Sequence, residues 1–199
     1  MNRWFHFVDG QLHVEGVPAA ELAANFGTPL YVYSRNALLD AFGEYQQAMP
    51  SDRGLVCFAV KANSGRAVLA TLAGAGAGFD IVSGGELERV LAAGGDPGRV
   101  IFSGVGKSTG EMRQALTAGI RCFNIESEEE LERLNAVALE LGVTAPVSLR
   151  LNPDVSAGGH RYIATGGTTH KFGVPGDACL ALAEKAHGAA GIEFTGLAC

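Results

Sequence analysis

The chain has 199 residues, with 15 basic and 21 acidic side chains and a formal charge of -6. That balance, with no Lys/Arg-rich block, speaks against a nucleic-acid surface. No apolar run reaches membrane-spanning length, and the first residues, MNRWFHFVDG, lack the layout of a signal peptide.

Cys57, Cys122, Cys179 and Cys199 are widely spaced, with no C-x-x-C pair. They read as reduced thiols of a cytoplasmic protein, not as a disulfide framework or a zinc site. In chain order, WFHFVDGQLHVEG alternates apolar and polar residues around Asp9-Gly10, a hairpin signal. A short helix over PAAELAANF follows, with Pro18 near its start and Gly27 just past its end. PLYVYS is predicted to be a strand ending at Ser34, which caps a helix over RNALLDAFGEYQQAM. From Leu55 a strand–helix unit recurs. Its β-rich runs are LVCFAVKAN, GFDIVS, RVIFSG, RCFNIES, PVSLRLN and IEFTGLAC. The first four are roughly 20 to 25 residues apart, the length of a short strand plus a crossover helix.

FSGVGKST, Phe102 to Thr109, contains a Gly-Lys-Ser, but the glycine that opens a phosphate-binding P-loop would fall at Ile101. A second explanation is at hand. Ser83 and Glu86, Ser108 and Glu111, and Ser127 and Glu130 share a three-residue spacing that predicts three helix-capping boxes. Ser108 then serves the first turn of its own helix, and the role of Lys107 stays open.

Apolar strands alternating with amphipathic helices indicate a parallel sheet covered by helices. The even rhythm and the lack of a G-x-G-x-x-G after the first strand favour a (β/α)8 barrel over a dinucleotide-binding sheet. A barrel needs eight strands and typically about 250 residues. Six are legible, so the expectation is the front part of a larger protein, with exposed sheet edges and an uncovered apolar interior that favour aggregation.

Chemistry in a barrel sits at the carboxyl ends of the strands. That rule selects Lys61, Asn63, Asp80, Ser83, Lys107, Asn124, Glu126, Arg150 and Asn152. An amine at the end of an apolar strand is open to desolvation, which lowers its pKa and lets it form a Schiff base with a carbonyl. A rim lysine whose head reaches water is the other reading of Lys61. Asp80 reads either as a site carboxylate or as a surface acid. Arg150, inside an apolar run, needs an anion beside it. His160 and Lys171 fall in a long strand-to-helix loop, as site groups or as solvated residues.

The motifs YVYS, FAVKAN, GFDIVSGGELERVLAAG, VIFSGVGK, FNIES, SLRLNPDV and HKFGV, in this order, resemble the ornithine/diaminopimelate/arginine decarboxylase family, most closely its diaminopimelate branch. The likeness runs from about Phe5 to the last residue. It implies a pyridoxal 5'-phosphate enzyme with an alanine-racemase-like barrel and a β domain. Residues 1–33 would belong to that β domain and 34–199 to an incomplete barrel. It implies that Lys61 carries the cofactor, that Asp80 and Arg150 lie beside it, and that His160 and Lys171 belong to a site loop. The implied reaction is decarboxylation of meso-2,6-diaminopimelate to L-lysine, the last step of lysine biosynthesis, by a homodimer. The 199-residue chain alone is expected to be inactive. Rival readings are a decarboxylase of the same fold acting on carboxynorspermidine, ornithine or arginine, and a non-catalytic pyridoxal-phosphate carrier.

Overall fold

The computed structural model describes residues 3–49, 54–153 and 172–199. The chain opens with a small antiparallel sheet of β1 (Phe5–Val8), β2 (Gln11–Val14) and β3 (Val17–Pro18). Asp9 and Gly10 join β1 to β2 with φ of 49° and 77°, the left-handed pair that a tight hairpin turn requires. Helix α1 (Ala19–Phe26) starts after Pro18 and is closed by Gly27 at φ 80°.

The strand expected at PLYVYS is not formed. Residues 29–34 pair with no strand, and Tyr31 and Tyr33 are exposed. A run of β-forming residues becomes a strand only when a neighbouring backbone takes up its N–H and C=O groups, and the β1–β3 sheet does not extend to it. Helix α2 (Arg35–Ala48) begins as expected, with Ser34 Oγ accepting from the Ala37 N–H at 2.9 Å. That cap has a second layer. Glu15 accepts from Ser34 Oγ at 2.6 Å and from the backbone and side-chain nitrogens of Asn36 at 3.0 and 2.9 Å. The Ser34 hydroxyl and the Asn36 N–H hold the Glu15 carboxyl below its ordinary pKa. Arg3 and Trp4 both donate to Asp40 on α2, so the small sheet is tied to this helix at two points.

Beyond it the strand–helix rhythm is realised. Its elements are β4 (Cys57–Ala59), α3 (Arg66–Gly74), β5 (Gly78–Ile81), α4 (Gly84–Ala92), β6 (Val100–Phe102), α5 (Thr109–Ala118), β7 (Cys122–Ile125), α6 (Glu128–Leu141), β8 (Ala145–Asn152), β9 (Val174–Pro175), α7 (Gly176–Gly188) and β10 (Ile192–Ala198). Strands β4, β5, β6, β7, β8 and β10 lie side by side in sequence order, and every pair is parallel. A doubly wound sheet reverses its strand order at a switch point. This one never does, so it is a singly wound part of a (β/α)8 barrel, with six of the eight strands that closure needs.

Alternate residues of these strands face the helices. Phe79, Ile81, Phe102, Phe123, Ile125 and Leu149 are fully buried there, in one core with Leu69, Leu87, Met112 and Leu134 of the helices. Each such burial contributes roughly 1.5–3 kcal/mol. On the opposite face the expectation of an apolar interior holds only toward the amino ends of the strands, at Ile101, Cys122 and Pro146. Toward the carboxyl ends of the strands that face carries Asp80, Ser103, Asn124, Glu126, Ser148 and Arg150, a polar surface compatible with water.

The three capping boxes are realised unequally. At α5 the box is complete, Ser108 Oγ accepting from the Glu111 N–H while the Glu111 carboxylate accepts from the Ser108 N–H. Glu111 also accepts from the Gly84 N–H at 2.8 Å, joining the starts of α4 and α5. At α4 and α6 the serine caps its helix, but the glutamates reach one residue further back, Glu86 to the Val82 N–H and Glu130 to the Glu126 N–H. Ser83 and Ser127 are almost fully extended, with φ near -158° and -157° against -82° for Ser108. Extension swings the N–H of the preceding residue, not of the serine, toward the carboxylate.

Candidate functional site

β4 ends at Ala59, and Lys61 sits two residues beyond it, in a single 3-10 turn over Val60–Ala62. Val60 is buried and anchors the turn, whereas Lys61 is exposed, as in the rim reading of this lysine and not the desolvated one. Among the described residues no side chain pairs with its amine. Asn63 closes the turn, its Oδ1 accepting from the Gly65 N–H at 2.9 Å ahead of α3, which gives Asn63 a local structural task.

Ala59 is in register with Asp80 on β5, so the Lys61 turn leaves the sheet beside the strand that carries Asp80. Asp80 heads a chain of hydrogen bonds across four strands. Ser103 Oγ donates to Asp80 Oδ1, Asn124 Nδ2 donates to Ser103 Oγ at 3.0 Å, and Ser148 Oγ donates to Asn124 Oδ1. The donors all run one way, toward the carboxylate, so each bond reinforces the next. Ser103 and Ser148 were not among the candidates read from the sequence. The signal available was their position, two small hydroxyls at matching levels on either side of β7.

One level higher lies a cluster of four charges. Glu126, with a side chain 2% exposed, accepts from Arg150 Nη1 at 2.8 Å, from the Gly104 N–H at 3.0 Å and from the Gly173 N–H at 2.9 Å. The ring of Phe172 lies under the Arg150 guanidinium at 4.9 Å. Gly173 holds a φ of 78°, and a Cβ there would sit 2.7 Å from the Arg150 carbonyl oxygen, so only glycine brings its N–H this close to Glu126. Arg150 has the anion that its place in an apolar strand demanded.

Lys107 is the other cation. Its ammonium is fully buried and donates to the Gly104 and Asn124 carbonyls, both at 2.7 Å, and to Glu130 Oε1 at 2.6 Å. Burial pushes the Glu130 carboxyl up, against the pull of Lys107 and of the Glu126 N–H. Lys107 is thus a structural bolt from the loop after β6 to β7 and α6. With Ser108 in its capping box, the whole Gly-Lys-Ser is explained by the fold. Ser83, likewise, is a helix cap.

His160 and Lys171 lie outside the described residues. Among the described residues no group of three or more His, Cys, Asp or Glu could hold a metal ion. All four cysteines are free thiols, and burial pushes Cys57, on the open face of β4, up to about 11. It is therefore protonated at neutral pH and a poor nucleophile. No helix among the described residues is long and apolar enough to cross a membrane.

Residues 35–199 match the family described as pyridoxal-dependent decarboxylase, pyridoxal binding domain. The chain is 55% identical over 191 residues to the diaminopimelate decarboxylase of Vibrio cholerae, covering 96% of this chain and 46% of that protein. It is 55% identical over 195 residues to that of Pseudomonas aeruginosa, covering 98% and 47%. Among solved structures, diaminopimelate decarboxylase from Helicobacter pylori complexed with L-lysine superposes with a TM-score of 0.87 at 40% identity, over 89% of this chain and 45% of that one. The chain spans about half the length of the curated relatives it matches.

The cofactor implied by this family is pyridoxal 5'-phosphate, and the residues present fit it. Lys61 offers a primary amine with no competing side-chain partner among the described residues, as an aldehyde requires. Asp80 and Arg150 supply a carboxylate and a guanidinium on the same face of the sheet, each already oriented by a hydrogen bond.

Proposed function

The chain belongs to the pyridoxal-dependent decarboxylases, through their pyridoxal-binding domain, and from that premise we propose that the whole protein converts meso-2,6-diaminopimelate to L-lysine and carbon dioxide. The observation that carries the reading is the state of Lys61. It is held in a tight turn at the carboxyl ends of the strands, and its amine is left unpaired among the described residues while the neighbouring Lys107 is fully consumed. When bound, pyridoxal phosphate supplies an electron sink for the charge left behind as a carboxylate departs. The protein's own part is attachment and orientation. Lys61 provides the amine that holds the aldehyde. Asp80 has one oxygen committed to Ser103 and presents the acid of the open face. Arg150, aimed by Glu126, offers donors to an anionic group.

The identity of the relatives supports diaminopimelate as the substrate, and one solved relative is complexed with the corresponding product, L-lysine. We assign residues 1–33 to a β domain, consistent with a small sheet separate from the barrel strands and with the exposed Phe7, Tyr31 and Tyr33. The full-length protein is proposed to be a cytoplasmic homodimer, and residues 1–199 by themselves are proposed to be inactive, since the relatives are about twice as long.

Borohydride reduction of the full-length protein with pyridoxal phosphate, followed by peptide mass analysis, should place the label on Lys61. Carbon dioxide release should be fastest with diaminopimelate among diaminopimelate, ornithine, arginine and carboxynorspermidine. A label on another lysine, or preference for another amino acid, would refute the respective part of the reading.

A further inference from the structure

We infer that Glu126 is a positioning residue of the site, setting the direction in which Arg150 presents its guanidinium; this rests on the reading of Arg150 as a cofactor-side group. An arginine on a strand end has a long stem and about 2 kcal/mol of rotamer entropy, so without a fixed partner its head sweeps the mouth of the sheet. Glu126 removes that freedom from one side and the Phe172 ring from the other. Of five N–H donors on a guanidinium, Glu126 takes one, and among the described residues the other four meet no acceptor.

The carboxylate is itself immobile. Backbone N–H groups of Gly104 and Gly173 bond one to each of its oxygens, and its own backbone N–H is held by Glu130. Two carboxylates this close and this deeply buried need two cations, and Lys107 and Arg150 supply them. The four charges sum to zero. Lys107 and Glu130 form the fixed half of the cluster, and Glu126 transmits that rigidity to Arg150, the one member with its head partly open to solvent. Arg150 therefore meets a ligand as an aimed donor with much of its charge already neutralised, which favours directional hydrogen bonds over bulk attraction.

The test uses the full-length protein and a thermodynamic cycle on pyridoxal phosphate affinity, measured by equilibrium absorbance titration, with Glu126→Gln, Arg150→Met and the double variant. Glu126→Gln and Arg150→Met are each expected to weaken affinity by about tenfold or more, as for a lost charge-assisted hydrogen bond. The double variant is expected to bind no more weakly than Arg150→Met alone, because Glu126 acts through Arg150. Glu126→Asp, which keeps the charge, should recover part of the loss, and it replaces Glu126→Gln in the cycle should the latter fail to fold. Losses that multiply in the double variant, or a Glu126→Gln protein with wild-type affinity, would overturn the inference while leaving the proposed function standing. Wild-type affinity in Arg150→Met would instead remove the reading of Arg150, and the inference with it.

Discussion

Lys61 and Lys107 each follow a strand of one parallel sheet, two strands apart, and they differ in almost every physical respect. Lys107 is fully buried, bonded to two carbonyls and a carboxylate, and stacked 5.7 Å from the centre of the Phe102 ring. Lys61 is exposed on a short turn and pairs with no side chain among the described residues. A buried ammonium with every donor satisfied has no capacity left for chemistry, and its removal strands a carboxylate in the core. An unpaired amine on a rigid turn contributes little to folding and is available to a carbonyl. The same side chain thus serves structure in one place and is left free for the proposed chemistry in the other, and what separates them is the set of partners that the fold brings.

The sharpest way to break the comparison is to exchange the effects. Lys61→Ala should abolish borohydride-trapped pyridoxal label while shifting unfolding free energy by no more than about 0.5 kcal/mol, as for a surface substitution; a large loss of stability would show that the turn needs the lysine. Lys107→Met should do the reverse, destabilising by about 3–5 kcal/mol with Lys61 still labelled in whatever fraction remains folded. Lys107→Met combined with Glu130→Leu should recover much of that loss in denaturant unfolding, since no charge is then left unpaired.

Smaller effects sharpen the contrast between buried and exposed partners. Ser34→Ala removes a helix cap and should cost about 1 kcal/mol in chemical denaturation. The pH dependence should be gentler still at any one group. Hydrogen bonds from the Gly84 and Ser108 N–H groups hold the Glu111 carboxyl below its ordinary value of 4.5. A depressed carboxylate contributes stability that is present above its unfolded pKa and lost as pH falls through the folded one. Unfolding free energy should therefore decline below about pH 4.5, and Glu111→Gln should flatten that decline; an unchanged acid slope would remove Glu111 from the account.

Much of this was legible in the residues. The six strand runs, the hairpin at Asp9-Gly10 and the serines that start α2, α4, α5 and α6 are local facts, visible in periodicity and in short spacings. Lys61 stands out because strand ends and the FAVKAN motif both point to it. PLYVYS misled, because its alternation says what a strand would look like but not whether a partner exists. Ser103 and Ser148 escaped because a lone serine at a strand end carries no pattern of its own. Glu126 is marked in the sequence only by its place at a strand end, since its three donors come from positions 22, 24 and 47 residues away.

By itself, then, the sequence determined the strand–helix order, the caps and the family likeness, and it singled out the lysine proposed to hold the cofactor. Only the tertiary structure decided which charges are consumed and which remain. Periodicity and capping are interactions over a few residues, written into neighbouring letters. Ion pairs such as Lys107 with Glu130 and Glu126 with Arg150 depend on the register between parallel strands and on burial, and both emerge only when the sheet is assembled.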